Sequence, residues 1–520
     1  MKVVMNTKIK YIQGILKKYF LIEILFFAFF TKLFLFWPNS VIPFSFDHGK
    51  DSLAILHLVK TWNLKLIGPW TSIPGLFFGP AWYYLLAPGF LFFNGNPLSA
   101  VFIMLVLHLV IVWLFYRYFG KLEAIMVACS PAFTIYSTSA WNPFPMPLLL
   151  TLILIILKRK KIQGKQIFFL GLITSFGLHF SSAYVFFLLL GIPALILIKV
   201  IREKIKLNLK FIFLGLIGFF IPFSPQFIFE LRHKFIETKA VIHYLKYPLV
   251  NQPKTPLLEV FNLTFKEISL GILPKFNILI IDRYLFYFCL VIFIVSIFFF
   301  FRQKKSVLYI WEVIFLIMVP IIGFSKLHFN VWYVYGMVPV LVVFIGQFLK
   351  SLPVKIKIIV ALLFLLVPLF KVYFYYNFDK KNLLVAKTFL PIKLQAVEKI
   401  RELAGGKSFS SYHYVSDIYD YSYQYIYFWQ AFNGLPLPIE FSYQPGKSDY
   451  VLEKPALLAK VSQEISQEDL TYIFYLVEKP DNEEYLAEWW KHQNYENIIQ
   501  TITIGNEITL YQALPKKTIN

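Results

Sequence analysis

The stretch "FDHGKDSLAILHLVKTWNLKLIGPWTSIPGLFFGPAWYYLLAPG", residues 46–89, follows the first long apolar segment of the chain. It contains two aspartates, two histidines and three lysines, followed by a series of glycines and prolines. The segments before and after it are strongly apolar. A polar cluster between apolar segments suggests a functional site, and the composition of the rest of the chain indicates in what kind of protein it lies.

The composition is that of a membrane protein. Of the 520 residues, 58% are hydrophobic and 15% are charged, whereas a soluble domain has about half and about a quarter. Apolar runs of about 18–22 residues recur, long enough to cross a hydrocarbon layer of about 30 Å. The net charge of +22 comes from lysines in short connections between these runs. We interpret it as a topology signal beside an anionic membrane surface and predict no nucleic-acid partner.

The apolar runs predict an α-helical polytopic protein with about eleven membrane spans. They lie at roughly 19–37, 97–117, 122–140, 144–158, 166–181, 183–200, 210–228, 284–301, 306–324, 332–349 and 356–375. Every second short connection is rich in Lys and Arg, such as "KRKK" at 158–161 and "RQKK" at 302–305, whereas "WNPFPMP" at 141–147 has neither. The positive-inside rule therefore predicts a cytoplasmic N-terminus in the plasma membrane.

This topology divides the chain into a transmembrane domain, residues 1–375, and an extracytoplasmic domain, residues 376–520. Within the first domain it places two large loops outside, at 38–96 and 229–283. The C-terminal segment is polar and Tyr-rich, with helix-like stretches at 390–406 and 483–494 and strand-like stretches at 470–479 and 498–514. Their periodicities predict a small α/β domain.

Asp47 and Asp51 are the leading candidates for chemistry in the first loop. On a helix beginning near Phe46 they share one face, with Lys50 beside them. Two carboxylates one turn apart are suited to holding a divalent cation. Alternatively, one acts as a general base with a pKa tuned by its neighbours. A capped, exposed polar turn is the structural alternative, and the spacing alone leaves all three open. No other cofactor is predicted.

The second half of the loop is apolar but broken by Pro69, Pro74, Pro80 and Pro88, which prevent one continuous helix. Irregular backbone at membrane depth is tolerated where it lines a cavity or lies in the interface. The loop is therefore predicted to cover a site at the outer membrane surface with short interfacial helices.

These features resemble the GT-C membrane glycosyltransferases, in particular the branch of protein O-mannosyltransferases and lipid A aminoarabinose transferases. That branch opens its first loop with Asp-Glu-x-Arg-Tyr and continues with Lys-Pro-Pro-x-x-Tyr-Trp. Here Asp47 stands at the Asp, His48 at the Glu, Lys50 at the Arg and Asp51 at the Tyr, and "GPAWYY" (79–84) replaces the second motif. The His and the Gly that begins "GPAWYY" depart from the pattern.

The resemblance implies an inverting transfer, metal-independent or weakly metal-linked, from a polyprenyl-phosphate sugar to a hydroxyl of a lipid, glycan or protein. Asp47 would deprotonate that hydroxyl, and cations would hold the departing phosphate. The predicted phosphate-binding residues are Lys50, Arg232, His233, Lys326 and His328. The residues predicted to line the substrate cavity are His48, Trp82, Tyr83, Tyr84, Trp141 and Asn142.

Three other functions remain open at this stage. A lipid-linked glycan transporter would usually show repeats or discontinuous spans near the membrane midplane. A glycan polymerase or ligase would use the same donor class and rely on a later outer loop, such as residues 229–283. A scaffold for the C-terminal domain would leave Asp47 and Asp51 unexplained. The glycosyltransferase hypothesis accounts best for acids and irregular backbone in an outer loop.

Overall fold

The computed structural model describes residues 2–159, 163–202, 209–247, 255–272, 318–323, 329–461 and 470–516, with a few single residues between 284 and 295. Helices dominate the part before residue 273. They are α1 (Lys2–Phe36), α2 (Phe46–Thr61), α3 (Ala81–Phe92), α4 (Ser99–Tyr118), α5 (Lys121–Cys129), α6 (Pro131–Thr138), α7 (Met146–Leu157), α8 (Gly164–Leu178), α9 (Ser182–Arg202), α10 (Leu209–Arg232), α11 (Ile236–Lys246) and α12 (Leu257–Ile272).

A 3₁₀ helix (Val331–Met337) follows the later gap and leads directly into α13 (Val338–Lys350). Next come α14 (Val354–Phe374), a π-helical turn (Tyr375–Asp379) and α15 (Lys380–Val385). Among the described residues, five helical segments are long and apolar enough to cross a membrane: Tyr19–Phe36, Ser99–Tyr118, Leu209–Arg232, Val331–Lys350 and Val354–Val385. The predicted spans at 284–301 and 306–324 lie largely outside the described residues.

The segment predicted as one span at 122–140 is instead two short helices, α5 and α6. They meet at Ser130, because Pro131 has no N–H with which to continue the hydrogen-bond ladder. The Lys32 ammonium of α1, fully buried, donates a hydrogen bond to the Ala128 carbonyl at this break. A backbone carbonyl left free inside a bundle is costly, so Lys32 stabilises the break.

The C-terminal domain is a mixed five-stranded sheet with short helices. Its elements are α16 (Leu390–Ala404), β1 (Phe409–Tyr414), α17 (Tyr421–Ala431), β2 (Phe441–Ser442), α18 (Lys454–Leu458), β3 (Tyr472–Glu478), α19 (Glu483–Lys491), β4 (Ile498–Ile504) and β5 (Ile508–Ala513). The strand order is β2-β1-β3-β5-β4. β1 pairs in parallel with β2 and β3, and β5 pairs antiparallel with β3 and β4. The run 498–514 is thus a hairpin, which turns at Gly505 (φ +59°), and not a single strand.

A buried polar network joins β1 to α17. The His413 Nε2 lies 2.9 Å from Ser411 Oγ, and its Nδ1 lies 2.5 Å from Asp420 Oδ2. All three side chains are buried, and the Tyr427 hydroxyl donates to Ser411. Burial alone would raise the pKa of Asp420, but hydrogen bonds from its neighbours, His413 foremost, lower it. The Ser-His-Asp group is closed to substrate because all three side chains are buried. Its hydrogen bonds hold α17 on the sheet.

α17 packs directly on α2 of the first large loop. At Gly49 the two backbones approach so closely that an added Cβ would lie 2.4 Å from the Ser422 nitrogen. The Tyr425 hydroxyl donates to the Gly95 carbonyl, and Lys65 pairs with Glu453 at 3.0 Å. The C-terminal domain therefore braces the loop that carries the candidate site.

Candidate active site

α2 begins at Phe46, the start supposed for it from the sequence, and its first turn is fixed from two sides. The backbone N–H of Ser45 donates to His48 Nδ1 (3.4 Å), within a capping box. The N–H of Phe46 donates to the Asp417 carboxylate of the C-terminal domain (3.0 Å). Free N–H groups in the first turn of a helix need such acceptors. The orientation of this turn, and of Asp47 within it, therefore depends on both domains.

Asp47 lies at the exposed side of this turn. Its carboxylate pairs with the Lys50 ammonium at 3.1 Å, and the exposed fractions are 48% for the Asp47 side chain and 13% for that of Lys50. The ammonium also lies over the rings of Phe46 (5.1 Å) and Trp70 (5.2 Å). Aromatic faces attract a cation and limit its motion. The result is a fixed positive charge beside an accessible carboxylate.

Asp51 lies one turn further and faces inward. Its Oδ2 accepts a hydrogen bond from Trp82 Nε1 at 2.8 Å, and Tyr83 also faces it. The Oδ1 atom is buried without a hydrogen-bond partner. Burial raises the pKa of Asp51 to about 7, although Lys50 opposes the shift. Asp47 and Asp51 thus have opposite environments, one open and paired with a cation, one closed and near its titration point at neutral pH.

His48 connects α2 to the transmembrane bundle. Burial lowers the pKa of His48 to about 4, so the ring is neutral at pH 7. Because Nδ1 accepts from Ser45, the proton sits on Nε2, which faces Ser139 Oγ at 3.5 Å. His48, Asp51 and Ala140 line one small cavity, together with Ile42, Phe44, Trp82 and Val101. The structure thereby brings together the first turn of α2, the start of α3 and the 139–142 connection.

Trp141 and Asn142, predicted to line the cavity, continue from that wall. Trp141 packs its ring against Trp332 at 6.0 Å and against Tyr335 at 6.4 Å. Asn142 is buried and donates to the Phe180 carbonyl at 2.9 Å. Asn142 therefore holds two connections together, whereas Trp141 keeps part of its ring exposed.

Arg232 and His233 lie at the end of α10, beside a second part of the first loop. The loop makes a narrow hairpin at 68–79, with Trp70 and Phe77 bridged. Phe77 stacks edge-on against Phe229 of α10 (5.7 Å), and its N–H donates to Glu237 at 3.0 Å. Arg232 and His233 are exposed. Among the described residues, the hairpin connects the end of α10 with Lys50, because its Trp70 lies under the Lys50 ammonium and its Phe77 packs against Phe229.

The other predicted residues have mixed positions. The Tyr84 hydroxyl donates to the Lys65 carbonyl at 2.9 Å, so this side chain secures the loop. Tyr83 is buried beside Asp51. Lys326 and His328 lie outside the described residues, and their predicted contact with phosphate stays a prediction.

Sequence reasoning missed four residues that shape the site: Trp70, Ser139, Glu237 and Asp417. An aromatic residue inside a proline-broken loop was the available signal for Trp70, and proximity to "WNP" the one for Ser139. Glu237 and Asp417 carry no local signal. Both act on backbone N–H groups far away in the sequence.

Among the described residues, no group of three or more His, Cys, Asp or Glu side chains is placed to share a metal ion. Asp47 and Asp51 turn to different partners, Lys50 and Trp82. A divalent cation between the two carboxylates would require at least one of them to leave its partner.

No protein-family model matches the sequence, and no curated protein sequence matches it. The fold, however, matches solved structures. ArnT from Cupriavidus metallidurans bound to undecaprenyl phosphate superimposes with a TM-score of 0.56 at 10% identity, over 95% of this chain and 97% of that one. Its apo form gives 0.55 at 9% identity, over 90% and 94%. The chain has the fold of ArnT, which is itself a lipid A aminoarabinose transferase with a GT-C fold.

The ArnT-like fold confirms the family resemblance that residues 46–90 suggested, at the level of architecture. Together with the long apolar helices it makes the chain an integral membrane protein. At this identity the likeness extends to the fold and not to individual side chains, so the roles of Asp47, Asp51 and the cations remain predictions.

Proposed function

We propose that this protein is a membrane glycosyltransferase that moves a sugar from a polyprenyl-phosphate donor to an acceptor hydroxyl on the extracytoplasmic face of the plasma membrane. The observation that carries the proposal is the first turn of α2, where the accessible Asp47 carboxylate pairs with Lys50. This turn belongs to an ArnT-like fold, and ArnT itself has been solved with undecaprenyl phosphate. The acceptor is a lipid, a glycan or a protein.

In the proposed mechanism, Asp47 takes the proton of the acceptor hydroxyl as its oxygen attacks C1 of the sugar, and the polyprenyl phosphate leaves from the opposite face. A base positioned in this way contributes about 10²–10⁴-fold in rate. Lys50 offers positive charge to the leaving phosphate only by swinging away from its ion pair with Asp47, because base and leaving group lie on opposite faces of C1. At the end of α10, on the other side of the hairpin, Arg232 adds a positive charge and His233 a ring nitrogen able to donate a hydrogen bond.

Asp51 supports this turn from behind. Its hydrogen bond to Trp82 ties α2 to α3, and its carboxyl is closed off from the exposed side where Asp47 lies. We therefore assign the base to Asp47 and a supporting role to Asp51.

The test compares Asp47→Asn and Asp51→Asn in protein purified into lipid nanodiscs, with undecaprenyl-phosphate sugars as donors. Asp47→Asn is expected to lower turnover about 10²–10⁴-fold with donor binding unchanged, and Asp51→Asn to retain measurable turnover. Asp379→Asn, an exposed aspartate on the π-helical turn, is the matched control. A chelator is expected to leave turnover unchanged, which would separate a lone base from a paired-carboxylate metal site.

Three outcomes would change the assignment. An inactive Asp51→Asn beside an active Asp47→Asn would exchange the two roles. Normal turnover in both variants would remove the main support for the glycosyltransferase. Movement of the intact donor across the bilayer without transfer of its sugar would favour a transporter instead.

A further inference from the structure

Four aromatic side chains from separate segments meet next to the proposed site. We call Tyr136, Trp141, Trp332 and Tyr335 the aromatic wall. Tyr136 comes from α6, Trp141 from the connection to α7, and the other two from the 3₁₀ helix. Ring centroids are 5.5 Å apart for Tyr136 and Tyr335 and 6.0 Å apart for Trp141 and Trp332.

The two indoles form a corner and not a stack. Their planes meet at 58°, and the plane of Tyr335 lies at 68° to that of Trp141. Trp332 keeps 38% of its surface exposed, while Trp141 and Tyr335 are half-buried. These three residues thus keep part of their surface accessible, whereas Tyr136 is buried.

The aromatic wall follows directly on the small cavity that His48 and Asp51 line. Trp141 follows Ala140, which lines the cavity shared by His48 and Asp51. That cavity has room for about one water molecule, which would satisfy the buried Asp51 Oδ1, so a sugar would lie outside it, against the aromatic wall. On the far side, the Glu267 carboxylate of α12 lies within electrostatic reach of the Tyr136 and Tyr335 phenols.

We propose that the aromatic wall is the subsite for the pyranose ring of the lipid-linked donor, an inference that rests on the proposed function. A pyranose has C–H faces that pack on aromatic rings and hydroxyls at its edge that bond to carboxylates and imidazoles. Trp332 and Trp141 supply the face, and the Glu267 carboxylate, within electrostatic reach of Tyr335, supplies an acceptor for hydroxyls at the edge. The donor always carries a sugar, whereas the acceptor classes include some that do not.

The alternative is a purely structural role, in which Trp332 anchors the outer end of its helix in the membrane interface, as Trp commonly does. Trp113 provides a control for an interfacial tryptophan, because it has a similar exposure of 44% near the end of α4 that is predicted to lie on the opposite, cytoplasmic side, and it is not one of the four side chains of the wall. A subsite and an anchor differ in whether the sugar matters.

The experiment measures binding of two kinds of lipid to the full-length protein in nanodiscs. One is bare undecaprenyl phosphate, and the other is a panel of undecaprenyl phosphates carrying mannose, glucose, galactose or N-acetylglucosamine. Wild type is expected to prefer at least one glycosylated lipid over the bare one. Trp332→Ala should lose that preference, with about tenfold weaker binding of the preferred lipid. Trp332→Phe, which keeps a ring, should retain most of it, and Trp113→Ala all of it.

Each other outcome is decisive. If Trp332→Ala weakens the binding of bare and glycosylated lipid equally, the wall contacts the lipid and the sugar subsite is wrong. If Trp332→Ala keeps the preference, or wild type binds bare undecaprenyl phosphate but prefers no glycosylated form, the subsite is equally wrong while the proposed function stands. If wild type binds none of the lipids, the proposed function itself is refuted.

Discussion

Asp47 and Asp51 show how two identical residues four positions apart acquire different chemistry. Asp47 lies at the open side of α2 beside Lys50, and Asp51 lies behind it under Trp82. The pKa of about 7 for Asp51 follows from burial, since desolvation disfavours the charged form. Position on the helix, and not residue type, separates an accessible base from a closed acid.

The raised pKa of Asp51 predicts a pH dependence of stability. From about pH 4 to pH 7 the unfolded chain has lost this proton while the folded chain keeps it, so the contribution of Asp51 to stability falls as pH rises through this window and levels off above it. His48, whose pKa is lowered to about 4 in the fold, contributes the opposite slope. Asp51→Asn, which has no charge to bury, is expected to remove only the falling contribution, so that the variant gains stability relative to wild type as pH rises. Thermal unfolding of both proteins in detergent between pH 4 and 8 measures the difference. Parallel profiles would mean that Asp51 is not buried as described.

Arg232 gives a prediction about donor binding. An exposed guanidinium at the end of α10 is well shaped to grip a phosphate, and one charge-assisted contact is worth about 1.5–3 kcal/mol. Arg232→Ala is therefore expected to raise the donor concentration for half-maximal turnover roughly tenfold or more. Lys239→Ala, an exposed cation on α11, is the control. An unchanged donor titration would reduce Arg232 to an interfacial anchor.

At the scale of elements, the site depends on how α2 is held. α17 contacts the backbone of α2 at Gly49. The Asp417 carboxylate accepts a hydrogen bond from the backbone N–H of Phe46, and His48 accepts one from the backbone N–H of Ser45, which caps the helix. The hairpin 68–79 then holds Lys50 through Trp70 and is itself fixed on α10 and α11 through Phe77.

Gly49→Ala tests this packing. The added methyl group would lie 2.4 Å from the Ser422 nitrogen, and since backbone cannot rotate away, α2 and α17 must separate. Turnover is expected to fall at least tenfold and the melting temperature to drop by several degrees, because overpacking costs about 1–3 kcal/mol. Ser422→Ala, which leaves the backbone approach unchanged, should behave nearly as wild type. Normal melting and turnover of Gly49→Ala would show that the two helices are not in contact at this point.

At the scale of the whole molecule, the ArnT-like architecture covers 95% of the chain, and the C-terminal domain contacts the loop that carries the site. This arrangement requires that the first large loop and the C-terminal domain lie on the same side of the membrane. The Lys and Arg distribution predicts that this side is extracytoplasmic.

Reporter fusions test the orientation. Alkaline phosphatase joined after residue 400 is expected to be active, since the enzyme matures only outside the cytoplasm, and a fusion within the "KRKK" connection at 158–161 should be silent. The reverse result for either fusion would contradict the predicted topology.

Local pattern was sufficient for several features. Five of the eleven predicted spans coincide with described helical segments that are long and apolar enough to cross a membrane, because burial in lipid depends on composition over one segment. In the C-terminal domain, the helices Leu390–Ala404 and Glu483–Lys491 and the strand Tyr472–Glu478 followed from spacing, since periodicity acts over a few residues. Spacing did not predict β1, α17, β2 or α18, and it gave the hairpin of β4 and β5 as one strand-like run. The motif around Asp47 pointed to the GT-C fold, which the likeness to ArnT confirms.

Tertiary structure alone decided which side chains meet. Trp82 reaches Asp51 across 31 residues, Asp417 reaches Phe46 across 371, and Lys32 closes the break before Pro131 across 96. No local periodicity encodes such pairs, because their free energy comes from groups that only the folded chain brings together. The sequence alone thus determined where the apolar helices and the polar loop lie, and long-range packing determined which carboxylate in that loop is open and which is closed.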